Sequence, residues 1–388
     1  MRNTMFRRNT FAFLAFYIIF LFSTAVISFY PAYTIFIRAL SLIIFTMNTL
    51  LFILYFPEIQ KHRNLFLLTL VACLFPLATV TAGVYQEQRF VDNMASAIHI
   101  YNLIFFVILS SSVNFSNRQI KWLLFIPVIG LIFLMSYYHI IDFIVAPFLW
   151  PPNDIAKSYF YMLMSLILWH YFCGSNKLWI FLWIIAMFIL SYRIQCRSTL
   201  LATICFSLLC CFDFWIKRPL IYRSIMNVLI IGSIVFAAIY VYLYLNFFRM
   251  DLSWAFHQAG KGIFSGRETI WIELFTGLKQ HPLLGMGREA LAWSVTWNTG
   301  DTHNSSMYIL CLFGVPLFLT IIILINKTLS YFQLTLEKDI VSRRALYAFL
   351  SMLLMGFFES NVVTTPFIAF TFFMFFIINS RRLNMEKI

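Results

Sequence analysis

The chain has 388 residues, of which 62% are hydrophobic and only 11% charged, and it carries a formal net charge of +13. A soluble domain is nearer half apolar and a quarter charged, so this composition excludes an ordinary soluble enzyme. The apolar runs are continuous rather than alternating, which excludes a transmembrane barrel. In a soluble chain the charge would point to nucleic acid; here the positive-inside bias of membrane proteins accounts for it, and no nucleic-acid partner is expected.

In chain order, Arg2, Arg7 and Arg8 precede an apolar run that is too long for a signal peptide and lacks a small-residue cleavage site, so it reads as a retained anchor. Runs near ~20 residues, the length that crosses a hydrocarbon core, predict twelve spans. They lie at 10–30, 33–56, 64–84, 97–113, 121–141, 156–173, 178–192, 199–215, 224–246, 305–325, 345–358 and 362–379, the seventh and eleventh being short. The expected fold is an all-α polytopic membrane protein of about twelve transmembrane helices, a single integral membrane domain over 1–388 with one long loop at 247–304. With a cytoplasmic N-terminus, the cytoplasmic segments hold 18 of the 28 Lys and Arg residues, and five of the other ten lie in the long loop. That asymmetry predicts both termini in the cytoplasm and the long loop outside. The seven cysteines form no CxxC pair and mostly fall inside apolar runs, so they read as small hydrophobes rather than disulfides or zinc ligands.

The long loop is polar yet patterned. After Ser265, a plausible helix cap, Ile270, Trp271, Leu274, Phe275 and Leu278 form one apolar stripe. That spacing predicts a helix on the membrane surface, its stripe against lipid or the bundle, ending at His281–Pro282. The Gly-Met-Gly at 285–287 reads as a turn.

An arginine at membrane depth costs roughly 2.5–3.5 kcal/mol on insertion scales, so it needs a partner or a task. Arg193 and Arg197 stand four residues apart at the outer junction of the seventh and eighth spans, a spacing that shares a face on one helix. Arg38 lies a turn and a half into the second span from the outer side, and Arg267 and Arg288 flank the loop helix. Five arginines on one side suggest a cradle for a phosphorylated lipid, since a guanidinium grips phosphate with a two-pronged fork. The plainer alternative is snorkelling, or ion pairs with Glu268, Glu273, Glu289 and Asp301. His303, where the loop meets the tenth span, is suited to general-base chemistry; a lone histidine is also commonly structural. Glu359, at the outer end of the eleventh span, is either an arginine partner, an acid/base group or a span-end residue facing water. No P-loop, HExxH or GxSxG is present.

"CRSTLLA" at the start of a span, "SGRETIWIELFTGLKQHPLLGMG" and "HNSSMYILCLFGVPLF" together resemble the O-antigen ligase and polymerase superfamily of bacterial inner-membrane proteins. The resemblance is carried by Arg197, Arg267 with Trp271, Pro282 to Gly287, and His303–Asn304, and is strong from Arg197 to Pro316. It implies a multi-pass inner-membrane enzyme that transfers a glycan from an undecaprenyl diphosphate carrier at the periplasmic face, with inversion and without metal or cofactor. In a ligase the acceptor is a sugar hydroxyl of the lipid A core; in a polymerase it is another lipid-linked glycan. His303 would be the base, Arg197 and Arg267 would stabilise the departing diphosphate, and Arg38, Arg193 and Arg288 would help to bind it. A flippase or anionic-lipid transporter is the competing class; it would share the arginines and need no His303.

Overall fold

The computed structural model describes residues 2–28, 33–85, 90–144, 152–174, 177–194, 196–213, 218–247, 267–287, 302–359 and 365–385. Its helices are α1 (Arg2–Ser28), α2 (Tyr33–Leu54), α3 (Phe56–Lys61), α4 (Arg63–Tyr85), α5 (Phe90–Ser112), α6 (Asn117–Ile144), α7 (Pro152–Cys173), α8 (Lys177–Arg193), α9 (Arg197–Cys211), α10 (Pro219–Phe247), α11 (Arg267–Gln280), α12 (Ser305–Tyr331), α13 (Gln333–Lys338), α14 (Ile340–Met355) and α15 (Thr365–Met385). No strand occurs among the described residues. Each of the twelve predicted segments overlaps one of these helices. By length and apolarity, four described stretches qualify to cross a membrane: Arg63–Tyr85, Asn93–Ser112, Leu220–Asn246 and Ser305–Tyr331. At 1.5 Å per residue, α8 with 17 residues and α14 with 16 reach only about 25 Å.

Apolarity is distributed as a lipid-embedded bundle requires. The middle of the chain's packing is α5, α12, α14 and α15, whose side chains are buried almost all round. α8 and α10 turn large apolar side chains outward, among them Leu178, Phe181, Ile189, Val228, Val235 and Ile239. In water such faces would drive aggregation; against acyl chains they are at home. Several polar side chains inside the bundle are paired or fold back on their own helix. Asn48 Nδ2 donates to Asn102 Oδ1, joining α2 to α5, and Asn326 Nδ2 donates to Asn227 Oδ1, joining α12 to α10. Along α9, the Thr203 and Ser207 hydroxyls donate to carbonyls one turn back, which lets a Ser/Thr-bearing helix sit in an apolar setting. The cysteines are free, but Cys173 and Cys211 are exposed rather than buried, because both lie at helix ends.

One end of the bundle is tied together by charge. Arg8 pairs with Glu58 at 2.7 Å, Arg343 with Asp213 at 2.9 Å and Arg381 with Asp339 at 2.6 Å. Arg382 lies over the Tyr331 ring, and Arg223 donates to Ser330 Oγ. All but Asp213, which falls at the end of the predicted eighth span, come from the segments predicted to be cytoplasmic. For Asp213, burial pushes the carboxyl pKa up, but hydrogen bonds from Tyr347 and Arg343 and the two arginine charges outweigh it and hold the pKa below the ordinary 3.8. Asp339 is likewise pushed up by burial and brought below 3.8 by Arg381 and Ser342. A lowered folded-state pKa contributes stability that is full above 3.8 and lost as pH falls through the folded value. The melting temperature in detergent is therefore expected to drop as acid is added below about pH 4. Asp213→Asn should lower it at neutral pH and flatten part of that acid limb.

Candidate functional site

The opposite end carries the loop helix and the polar stretch that opens α12, and its geometry starts from α11. The helix runs over 267–280, and its stripe of Ile270, Trp271 and Leu274 is buried against α10 and α12 rather than lying on lipid. Trp271 is the anchor. Its ring packs edge-on against Phe236 and Tyr240 of α10, and its Nε1 donates to Thr302 O at 2.9 Å. The residue next to Thr302 is His303, so the loop helix is fastened one residue away from the imidazole.

In "HNSS" nearly every polar group has a structural task. Asn304 caps α12, its Oδ1 accepting from Met307 N at 3.0 Å. Asn304 Nδ2 donates to Ser233 O and Phe357 O, joining α10 and the end of α14. Ser305 Oγ donates to Glu359 O and Ser306 Oγ to Ile230 O. His303 differs: at φ 48 it is the sole non-glycine with positive φ among the described residues. Histidine tolerates this left-handed region better than most residues, yet the conformation costs on the order of 1 kcal/mol and persists only where the surroundings impose it. Here the imposing bonds are those at Thr302 and Asn304 on either side.

Arg267, at the first turn of α11, lies one turn from Trp271. Its Nη2 is 3.6 Å from Glu359 Oε1, and its guanidinium stands 6.0 Å over the Phe358 ring. The other oxygen of Glu359 faces Lys157 of α7, Nζ to Oε2, at 3.4 Å. Lys157 and Glu359 are both buried. Sequence reasoning named Glu359 as one possible arginine partner, which it is; it did not single out Lys157. The signal was present as a lone lysine at the start of the predicted sixth span, but its partner lies 202 residues away.

The other arginines are placed less closely. Arg193 ends α8 and Arg197 begins α9, so they do not share a helix face: Cys196 N bonds to Ser191 O and the chain turns between them. Both are exposed and form no ion pair among the described residues. α9 packs against α14, with Arg344 Nη1 donating to Cys210 O at 3.4 Å. Arg38 lies in α2, but its side chain is outside the described set, as is all of Arg288. Among the described residues, no three His, Cys, Asp or Glu side chains converge as a metal site.

Glu268 is the odd group of the site. It is 7% exposed, and its Oε2 accepts no hydrogen bond among the described residues. An acid in the first turn of a helix gains about 0.3–1 kcal/mol from the backbone dipole, whereas a buried, unsatisfied polar group costs about 1–3 kcal/mol. Burial wins, so Glu268→Leu is expected to raise the melting temperature. A lower melting temperature in that variant would mean that the carboxylate is held by a stabilising contact.

Behind α11 the chain turns into α12. Helix α12 is broken at Gly314 (φ 85, ψ 171), two residues before Pro316, which frees backbone groups at membrane depth. The turn at 282–287 takes them up: Met286 N donates to Cys311 O, Gly287 N to Leu312 O, and Val315 N to Pro282 O. Thr79 Oγ1 of α4 holds the same turn through Leu284 O at 2.8 Å. The Gly-Met-Gly is therefore a turn, as its composition suggests, but one seated in a helix break. Beside it opens a cleft of about 250 Å³ lined by Thr79, Gly83, His281 and Met286.

A bundle of apolar helices, with a partly buried pair of cations around one buried carboxylate and a strained histidine at one end, defines a membrane-embedded protein with a polar site at its rim. Residues 179–322 match the family model described as O-antigen ligase. The match supports membership of the O-antigen ligase/polymerase superfamily, hence a ligase- or polymerase-type glycosyltransferase in general and a multi-pass bacterial membrane protein. The family implies lipid-linked glycan and lipid acceptor substrates in general. The matched stretch contains Arg193, Arg197, Arg267, Arg288 and His303, and leaves out Lys157 and Glu359. No curated protein and no solved structure matches the chain.

Proposed function

We propose that the protein transfers a glycan from undecaprenyl diphosphate to a sugar hydroxyl of the lipid A core, at the periplasmic face of the bacterial inner membrane. The acceptor oxygen attacks the anomeric carbon as the bond from that carbon to the diphosphate oxygen breaks, which inverts the centre. His303 takes the hydroxyl proton, and the electron pair leaves with the diphosphate, its charge met by Arg267 and Arg197. In a site of low dielectric, such fixed cations stabilise a developing anion far more than water would. The leaving group is already activated, so no metal, nucleotide or cofactor is called for. The observation that carries the reading is the bond from Trp271 Nε1 to Thr302 O, which fastens the helix bearing Arg267 beside His303. The charge asymmetry of the loops supports both termini in the cytoplasm and this site outside.

Deleting the gene and resolving surface polysaccharide on a gel tests it. Bare core with accumulated lipid-linked polymer is the expected result. Core bearing a single repeat unit would make the protein a polymerase of the same superfamily instead. Repeat units trapped on the cytoplasmic side would replace the enzyme by a flippase.

A further inference from the structure

Three helices that pack in a row, α8 on α9 and α9 on α14, are short. They have 17, 15 and 16 residues, so at 1.5 Å per residue they reach about 22–25 Å, against a hydrocarbon core of about 30 Å. Their neighbours α10 and α12 have 29 and 27 residues. Helix α14 measures the gap between the two polar ends of the bundle. Near its start Arg343 holds Asp213, just past the end of α9. Past its other end, Gly356 O accepts from Ser305 N and Phe357 O from Asn304 Nδ2. The charge-tied end and the end that carries His303 are therefore only about 24 Å apart along this helix. The hairpin of α8 and α9 has the same reach. Residues 178–192 and 198–212, fifteen each, hold no charge, and Lys177, Arg193, Arg197 and Asp213 bracket them. The outer surface of the hairpin is apolar and exposed, at Phe181, Leu182, Ile185 and Ile189 of α8 and Leu201 and Leu208 of α9. Trp179 and Tyr192, residue types that settle at membrane interfaces, stand exposed near the two ends of α8.

We infer that the α8–α9 hairpin crosses the membrane by drawing the bilayer beside it down to about 25 Å, and that the lipid-linked donor reaches the site across this thinned face, past Tyr192 and Arg193. The entry route rests on the glycosyl-transfer reading above; the thinning stands without it. A stretch shorter than the hydrocarbon core is accommodated by a thinner bilayer, by long side chains reaching for the interface, or by a second copy covering it. Lys177 and Arg193 can reach outward. The open N–H and C=O groups at the helix ends cannot, and hydrocarbon offers them no partner. Only three residues, 194–196, join α8 to α9, so nothing extends the hairpin beyond Arg193 and Arg197. Tilt shortens its reach further. Charge decides between lipid and a second copy. A two-fold axis along the membrane normal would set Lys177 against Lys177 and Arg193 against Arg193, whereas headgroup phosphates meet both with opposite charge. For the donor, the lowered headgroup plane brings a lipid diphosphate to the level of Arg193 and Arg197 while its tail stays in the membrane.

The test uses the full-length protein in nanodiscs of dioleoyl phosphatidylcholine, with the exposed thiols Cys173 and Cys211 replaced by serine. Nitroxides are attached at Leu182→Cys, Ile185→Cys and Ile189→Cys on α8 and, for reference, at Val235→Cys on α10, and their depth is read by power saturation. Ile185 should be the deepest of the three, about 12 Å below the headgroups, with Val235 at about 15 Å. If one label disturbs folding, the other two still define the profile. Equal depth at Ile185 and Val235 would overturn the thinning, and three equally shallow labels on α8 would mean a hairpin that does not cross. Spin–spin broadening between labels of two molecules would put a second copy on the face in place of lipid. For the entry route, Tyr192→Cys carrying a bulky polymer maleimide should raise donor KM severalfold with kcat and acceptor KM unchanged. The same polymer at Tyr85→Cys, at the end of α4 and 92% exposed, should change neither. No effect at Tyr192, or an equal effect at Tyr85, would overturn the route. Failure of wild type to bind undecaprenyl diphosphate at all would bring down the glycosyl-transfer reading and the route with it, while the depth profile still decides the thinning.

Discussion

His303→Asn is expected to abolish glycan transfer while leaving the protein folded. Asparagine accepts the left-handed backbone that this position requires, so the φ of 48 survives the change. The neighbouring bonds, Trp271 Nε1 to Thr302 O and Met307 N to Asn304 Oδ1, do not involve the replaced side chain. The melting temperature should therefore stay near that of wild type. What is lost is a group that exchanges protons near neutral pH, and general-base catalysis contributes about 10²–10⁴-fold. Transfer from a lipid-linked donor, measured in membrane vesicles, should fall by that factor, with donor binding little altered. His303→Gly, which relieves the backbone strain, should fold at least as well and be equally inactive. Normal transfer in either variant would remove the imidazole from the chemistry and return the arginines to a binding or transport role.

The sequence spoke clearly where physics is local. Apolar runs and loop charges located the helices, and a stripe led by Ile270, Trp271 and Leu274 located α11. It spoke less clearly where a distant partner decides. Helix α14 starts at Ile340, five residues before the predicted span, because Asp339 caps it through Ser342 N and Oγ. Arg343 and Arg344, which precede the predicted span, are buried around Asp213. α9 ends at Cys211 with Phe212 as its C-cap, and the last two residues of the predicted span, 214 and 215, lie outside the described residues. In the site, Arg267 was legible from its place before an aromatic stripe. Lys157 was not, because a lone lysine near a span end carries topology information on its own, and its partner Glu359 lies 202 residues away. Nor was the structural work of Asn304 legible, since its partners Ser233 O and Phe357 O are backbone atoms of two other segments.

Backbone pairing of that kind carries the second large effect, at the break in α12. Gly314→Ala is expected to destabilise the protein by about 3 kcal/mol or more, from a left-handed backbone and a methyl group with nowhere to go. A Cβ at Gly314 would run into the carbonyl of Leu283, and one at Gly285 into the backbone of Leu312 and Phe313. Both obstacles are main chain, so neither can step aside without breaking the bonds from Met286 N to Cys311 O and from Val315 N to Pro282 O. Those groups then face lipid unpaired, where each costs several kcal/mol. Gly277→Ala is the control: its methyl would meet only the flexible end of Met286, which can rotate, so its melting temperature should stay much nearer wild type. Because the turn also ends α11, loosening it frees the helix that holds Arg267 near Glu359. Gly314→Ala should accordingly lose transfer even in molecules that remain folded, as read by comparing thermal melting and transfer in one preparation. A wild-type melting temperature in Gly314→Ala would mean that the turn is not seated in the break, and the physical link between the loop helix and α12 would be gone.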